Sequence, residues 1–176
     1  MGNTAGYKAL YDGWKADPEA FWMKAAEAIN WDEKPSKALF DKGDNLYEWF
    51  ADAKCNTCYN AVDRHVEAGR GEQTAIIYDS PITHTKREIS YVELRNRVAT
   101  LAGALRAKGI EKGDRVIIYM PMVPEALEAM LACARLGAVH SVVFVCCAAS
   151  GLAVRLDCAK PKAIIRACRG LQHGSG

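Results

Sequence analysis

No apolar stretch in this sequence reaches membrane-spanning length, and no run of Lys and Arg stands out from its surroundings. The first absence argues against a membrane partner. The second, with a net charge of only +2, argues against a nucleic-acid partner, because neutralising phosphates needs a concentrated basic face. The opening Met-Gly-Asn-Thr-Ala-Gly is too polar for a signal peptide, and Gly6 stands where myristoylation needs Ser or Thr. A Walker-type phosphate loop, a G-x-S-x-G nucleophile elbow and a second CxxC are also missing. Gly69-Arg-Gly71 resembles part of a dinucleotide-binding turn, but it precedes the apolar stretch at Thr74 where such a turn follows a strand. Pro121-Met-Val-Pro124 cannot offer the run of backbone N–H groups that cradles phosphate. No nucleophile, base and oxyanion donor assemble anywhere, so no catalytic residue is assigned.

What is present is ordinary globular composition, half hydrophobic and a quarter charged. The seven cysteines, Cys55, Cys58, Cys133, Cys146, Cys147, Cys158 and Cys168, are odd in number and unevenly spread. That pattern fits a reducing interior, the cytoplasm, better than a disulfide framework. Cys55-x-x-Cys58 lacks two further ligands for zinc, so packing is its expected role and no metal site is assigned. A composite metal site drawing on Cys146, Cys147, Cys158 and Cys168 is the alternative, although that spacing matches no ligand knuckle. His140 lies in an apolar run and is expected to be a satisfied core histidine. His65, beside Asp63 and Arg64, is expected on a helix surface or an interface.

Two textures divide the chain. Residues 1–68 hold all four tryptophans and little strand signal, and are expected to form a helical N-terminal lobe. Asp17-Pro18-Glu19 starts a helix, with Asp17 as N-cap and Pro18 where its missing N–H costs nothing. Residues 30–48 read as irregular chain, and a helix from about Cys58 to Ala68 stops at Gly69. From residue 69 the pattern alternates. Thr74–Tyr78 and Arg87–Ile89 are short strands around a polar turn, and Ser90-Tyr-Val-Glu93 has capping-box spacing. Tyr91, Leu94, Val98, Leu101, Ala102 and Leu105 then form a helical stripe stopped by Gly109. Arg115–Met120 and Ala138–Phe144 read as strands buried on both faces, separated by a helix from Glu125 to Leu136. A helix over 149–159 and a strand Lys162–Ile165 complete the pattern. The expected fold is α/β: a partial doubly wound, mostly parallel sheet with flanking helices over residues 69–176.

Longer strings carry a resemblance. Asn60-Ala-Val-Asp-Arg-His-Val66, Ile77-Tyr-Asp-Ser-Pro81, Ile118-Tyr-Met-Pro-Met122 with Pro124-Glu125, and the stretch Met130–Phe144 closely resemble the N-terminal part of AMP-forming short-chain acyl-CoA synthetases. Ile77–Pro81 and Lys160-Pro-Lys162 look most like the propionyl-CoA synthetase branch, with acetyl-CoA synthetase the near neighbour. The resemblance implies an ATP-dependent ligase that activates a short acid as acyl-AMP and passes it to CoA, using Mg²⁺. It also implies that the family's phosphate loop, acidic segment, hinge and C-terminal lysine lie beyond residue 176. The chain is therefore expected to be inactive alone and to bind no cofactor. Its alternative role is that of a non-catalytic fragment associating through an open sheet edge. A mitochondrial parent is the alternative to a cytoplasmic one.

Within the matched region the family's CoA-side turn follows Phe144, which is the one cofactor-binding residue assigned. Val145, Cys146 and Cys147 replace the family's Gly-Gly-Phe there, and a β-branched residue disfavours the positive φ that glycine permits. Gly170-Leu-Gln-His-Gly174 keeps two further glycines, but Ser175 stands where the family carries a phosphate-pairing arginine. Asp52-Ala53 replaces a family Gly-Gly, and Cys158 a family acidic residue.

Overall fold

The computed structural model describes residues 4–143 and 149–167. These fall into two compact units, 1–56 and 57–176.

In the first unit, α1 (Thr4–Ala16) and α2 (Pro18–Ala26) precede a small antiparallel hairpin, β1 (Leu39–Asp41) and β2 (Tyr47–Trp49). Asp17 caps α2 as expected, its carboxylate accepting from the Ala20 N–H at 2.9 Å. The hairpin departs from the irregular chain expected over 30–48. Its turn holds Gly43, Asp44 and Asn45 in the left-handed region, and two three-residue strands are too short to show a period of two. Trp22 meets Trp49 edge-on at 5.3 Å, so aromatic contacts hold the hairpin to α2.

The second unit opens with a helical segment over 57–70 wound partly as π-helix, at Tyr59–Asp63 and Val66–Arg70. Gly69 takes φ +80° there. Next, β3 (Thr74–Ser80) and β4 (Thr85–Ser90) pair antiparallel as a separate hairpin. These strands do not join the parallel sheet. The short link between them cannot make a parallel crossover. Helix α3 (Tyr91–Ala107) follows, with the Ser90 hydroxyl accepting from the Glu93 N–H at 3.3 Å. Only half of the expected capping box forms, because the Glu93 carboxylate turns forward to Arg97 at 2.5 Å. The predicted stripe is the buried one: Leu94, Val98, Ala102 and Leu105 all enter the core.

The parallel sheet has three strands in the order β6-β5-β7: β5 is Arg115–Tyr119, β6 Val139–Val143 and β7 Ala163–Arg166. Helix α4 (Pro124–Leu136) connects β5 to β6, and α5 (Ala149–Ala159) lies between β6 and β7. Because the two connections run in opposite directions across the sheet, right-handed crossovers place them on opposite faces, as in doubly wound folds. Val116, Ile117 and Ile118 are completely buried. β6 is not: it lies at the sheet edge, with Val139, His140, Ser141 and Val142 exposed. His140 is thus a surface residue, contrary to the core role expected of it, because no described strand lies outside β6. Among the described residues no helix is long and apolar enough to cross a membrane.

The start of β5 is tied to β7 by Asp114, which accepts from Lys162 Nζ at 2.7 Å and from the Glu111 N–H at 2.8 Å. The lysine hydrogen bond, and then the backbone one, hold its carboxyl below the usual carboxylate range. A carboxyl with a lowered folded pKa contributes stability above its unfolded value and loses it as pH falls through the folded value. Asp114→Asn should therefore lower the urea midpoint at neutral pH and make no difference once the pH is below the lowered carboxyl value.

Candidate functional site

In an open parallel sheet, ligands bind beyond the carboxyl ends of strands whose connections leave toward opposite faces. Here those strands are β5 and β6. At this end lies an apolar cavity of about 210 Å³, walled by Met120 to Val123 from the β5–α4 link, by Ala126, Leu127 and Met130 from α4, and by Val142 from β6. Apolar residues starting a helix directly after the strand build this wall. Among the described lining residues no side chain is charged, so the cavity suits an apolar group. The start of α4 is unsuited to an anion. Pro124 removes an N–H, Val123 supplies no side-chain cap, and Glu125 sits in the first turn, paired with Arg87 at 3.5 Å.

The turn expected on the CoA side begins where β6 ends. Phe144, with Val145, Cys146 and Cys147, lies outside the described residues, as do Cys168 and the segment from Gly170 to Ser175. Asp52 and Ala53 are described. The Asp52 carboxylate accepts from the Ser36 N–H at 3.0 Å, and its pKa is lowered first by the Ser36 side chain and less by that backbone contact. Neither residue needs glycine's freedom, since the left-handed positions nearby are Phe50 and the 43–45 turn.

The Cys55-x-x-Cys58 pair is not bonded: Cys55 is exposed, whereas Cys58 is fully buried. Burial is the main cause pushing the Cys58 thiol up, with Arg135 acting in the opposite sense, so the thiolate is disfavoured. Among the described residues no three His, Cys, Asp or Glu side chains cluster to hold a metal. His65 packs on Tyr91, ring centres 5.1 Å apart, beside Arg70, and burial is the main cause lowering its pKa.

What the chain does bring together is Asp63 and Arg135. Arg135 reaches both carboxylate oxygens, at 2.6 and 2.8 Å, across 72 residues of sequence. This pair welds the 57–70 segment to α4, and through α4 to the cavity. Two of the strings that carry the resemblance, Asn60–Val66 and Met130–Phe144, thus meet at an ion pair. A second weld, Arg97, bridges Glu93 at 2.5 Å and the nearly buried Glu128 at 3.2 Å, joining α3 to α4. Asp63–Arg135 and Arg97–Glu128 were not visible in the sequence, since no local spacing links such distant charges, whereas Glu93 and Arg97 stand one helical turn apart.

Among the described residues these contacts build a frame in which no metal-binding cluster assembles. Residues 62–174 match the model of the AMP-binding enzymes, and residues 7–61 match the acetyl-coenzyme A synthetase N-terminus. The chain belongs to the AMP-binding enzyme family. It is 48% identical over 173 residues to the mitochondrial acyl-CoA synthetase short-chain family member 3 of Mus musculus, covering 98% of this chain and 25% of that protein. It is 46% identical over 175 residues to the acetyl-coenzyme A synthetase of Xanthobacter autotrophicus, covering 98% of this chain and 27% of the relative. An uncharacterized protein of Pseudomonas aeruginosa is 57% identical over 157 residues, which are 89% of this chain and 25% of that protein. The chain therefore spans about a quarter of the length of these relatives. The match over residues 7–61 is to the N-terminal segment of acetyl-coenzyme A synthetase.

The weld to α4 makes a quantitative expectation. Asp63→Ala leaves a partly buried guanidinium without its carboxylate, and should cost about 2–3 kcal/mol. A chemical-denaturation midpoint reads the loss, and an unchanged midpoint would show that the pair does not hold the segment.

Proposed function

We propose that this chain supplies the N-terminal helical lobe, residues 1–68, and the opening of the adenylate-forming domain, residues 69–176, of a short-chain acid–CoA ligase. The reaction would take propionate or acetate. In the first step the carboxylate attacks the α-phosphorus of ATP with Mg²⁺, giving acyl-AMP and pyrophosphate. In the second the CoA thiol displaces AMP, giving the acyl-CoA. The observation that carries this reading is the match of both family models in order along the chain, with relatives covering 98% of it.

The 176 residues are inactive by themselves on this reading. Support comes from the chain's quarter share of its relatives' length, and from an apolar cavity where phosphate would need donors. Phe144 and its turn would face CoA, with Val145 weakening the close backbone approach that glycine allows. The cytoplasm is the proposed compartment, or the mitochondrial matrix for a parent like the mouse relative.

A second reading is favoured by the exposure of β6: a non-catalytic module that associates through its open sheet edge. Calorimetric titration of the isolated chain with ATP and Mg²⁺ addresses the first reading. It should give no binding heat, and no pyrophosphate should be released with propionate or acetate present. Saturable ATP binding in the micromolar range would overturn the claim of inactivity.

A further inference from the structure

The helical segment over 57–70 makes contacts at a spacing that an α-helix does not allow. In an α-helix residues five apart point about 140° away from one another, and those three or four apart share a face. Here the Arg64 N–H donates to the Tyr59 carbonyl, five residues back, which is the π pattern. The fully buried Cys58 thiol accordingly reaches the Asp63 carboxylate at 3.9 Å, again five residues along, and Asp63 lies on Arg135. With Cys58 fixed in the core, α winding of this turn would swing Asp63 away from Arg135. The extra residue in the turn has a second consequence. It sets the rotation at which His65 meets Tyr91, the first residue of α3, with ring centres 5.1 Å apart. Past the kink at Gly69, Arg70 donates to His65 Nδ1 and lies 6.0 Å over the same Tyr91 ring. The segment is thus fixed to α4 through Asp63 and to α3 through His65, and both contacts depend on the π turn at Tyr59–Asp63.

We propose that this segment is a two-register helix: the Asp63–Arg135 pair selects the π turn, and loss of the pair lets the turn rewind as α-helix and carries His65 off Tyr91. The α turn is the ordinary state of a helical backbone, whereas π turns are rare and survive where something else holds them. Here the holder is a two-pronged, charge-assisted contact that forms in one register only. Rewinding absorbs one residue, which rotates the chain after it by about 100° and so breaks the contact between the two rings. The end of α4 and the start of α3 are then linked through an element with two discrete arrangements, each favoured by different contacts. The device lies wholly within the second unit and does not depend on the ligase reading.

The test is NMR of the chain as wild type, as Asp63→Ala and with Ala61 deleted. It reads scalar couplings across backbone hydrogen bonds and the contact between the His65 and Tyr91 rings. In the wild type the Arg64 amide should couple to the Tyr59 carbonyl. In Asp63→Ala it should couple to the Asn60 carbonyl, the contact between the rings should vanish, and the Val116, Ile117 and Ile118 resonances should stay in place. Deleting the exposed Ala61 sets Cys58 and Asp63 four residues apart, so that α winding keeps them on one face. That variant should be α-wound with Asp63 still on Arg135, and should unfold at the wild-type denaturant midpoint. It decides the matter should Asp63→Ala fail to fold. An Arg64 amide still coupled to Tyr59 in Asp63→Ala, or a segment that loses all its couplings, overturns the two registers. A contact between His65 and Tyr91 that survives α winding overturns the link between the helices. A deletion variant no more stable than Asp63→Ala overturns the assignment of one residue in excess of an α turn.

Discussion

Strand β5 is the constraint on which the second unit depends. Val116, Ile117 and Ile118 are fully buried, and the strand is hydrogen-bonded on both sides by β6 and β7. A strand in that position must be apolar on both faces, since neither face nor edge meets water. Everything nearby serves to enclose it. Helix α4 covers it after a turn too short to stray, α3 packs on α4, and Asp114 with Lys162 fixes the end at which β7 joins. The cavity at the carboxyl end is a consequence of the same arrangement, because the β5–α4 link and α4 wall it against β6.

Charge does the longer-range joining. The hydrophobic stripe of α3 specifies that a helix packs, but not which helix meets it at which height. Arg97 with Glu93 and Glu128, and Arg135 with Asp63, supply that register. Each guanidinium is partly shielded, so losing one partner leaves a charge that water only partly recovers. Asp63 and Arg135 lie in segments that resemble acyl-CoA synthetases, and the reason offered by the geometry is structural: they hold the frame that presents the strand ends.

Much of this was legible in the sequence because local physics determines it. The Asp17 cap, the α3 stripe, the apolar β5 run and the glycine stop at 109 act within a few residues of themselves, and the structure has each of them in place. What could not be read depends on partners far along the chain. The β6 sequence has the composition of a doubly buried strand, yet it lies at an edge, because composition cannot say whether another strand follows outside. His140 was misread for the same reason. The β1–β2 hairpin escaped notice because three residues carry no period, and Asp63 because its partner is 72 residues away. The functional reading came from longer strings and from relatives, not from any constellation of reactive groups.

Hydrogen exchange on the 176-residue chain, resolved amide by amide, tests most directly whether the chain builds its own frame around β5. The account predicts that the amides of Val116, Ile117 and Ile118 exchange slowest of all. In dilute solution it predicts slow exchange at Ser141 and Val143, which face β5, and fast exchange at the outward-facing His140 and Val142. Uniformly fast exchange across β5, or protection confined to the β3–β4 hairpin, would contradict it.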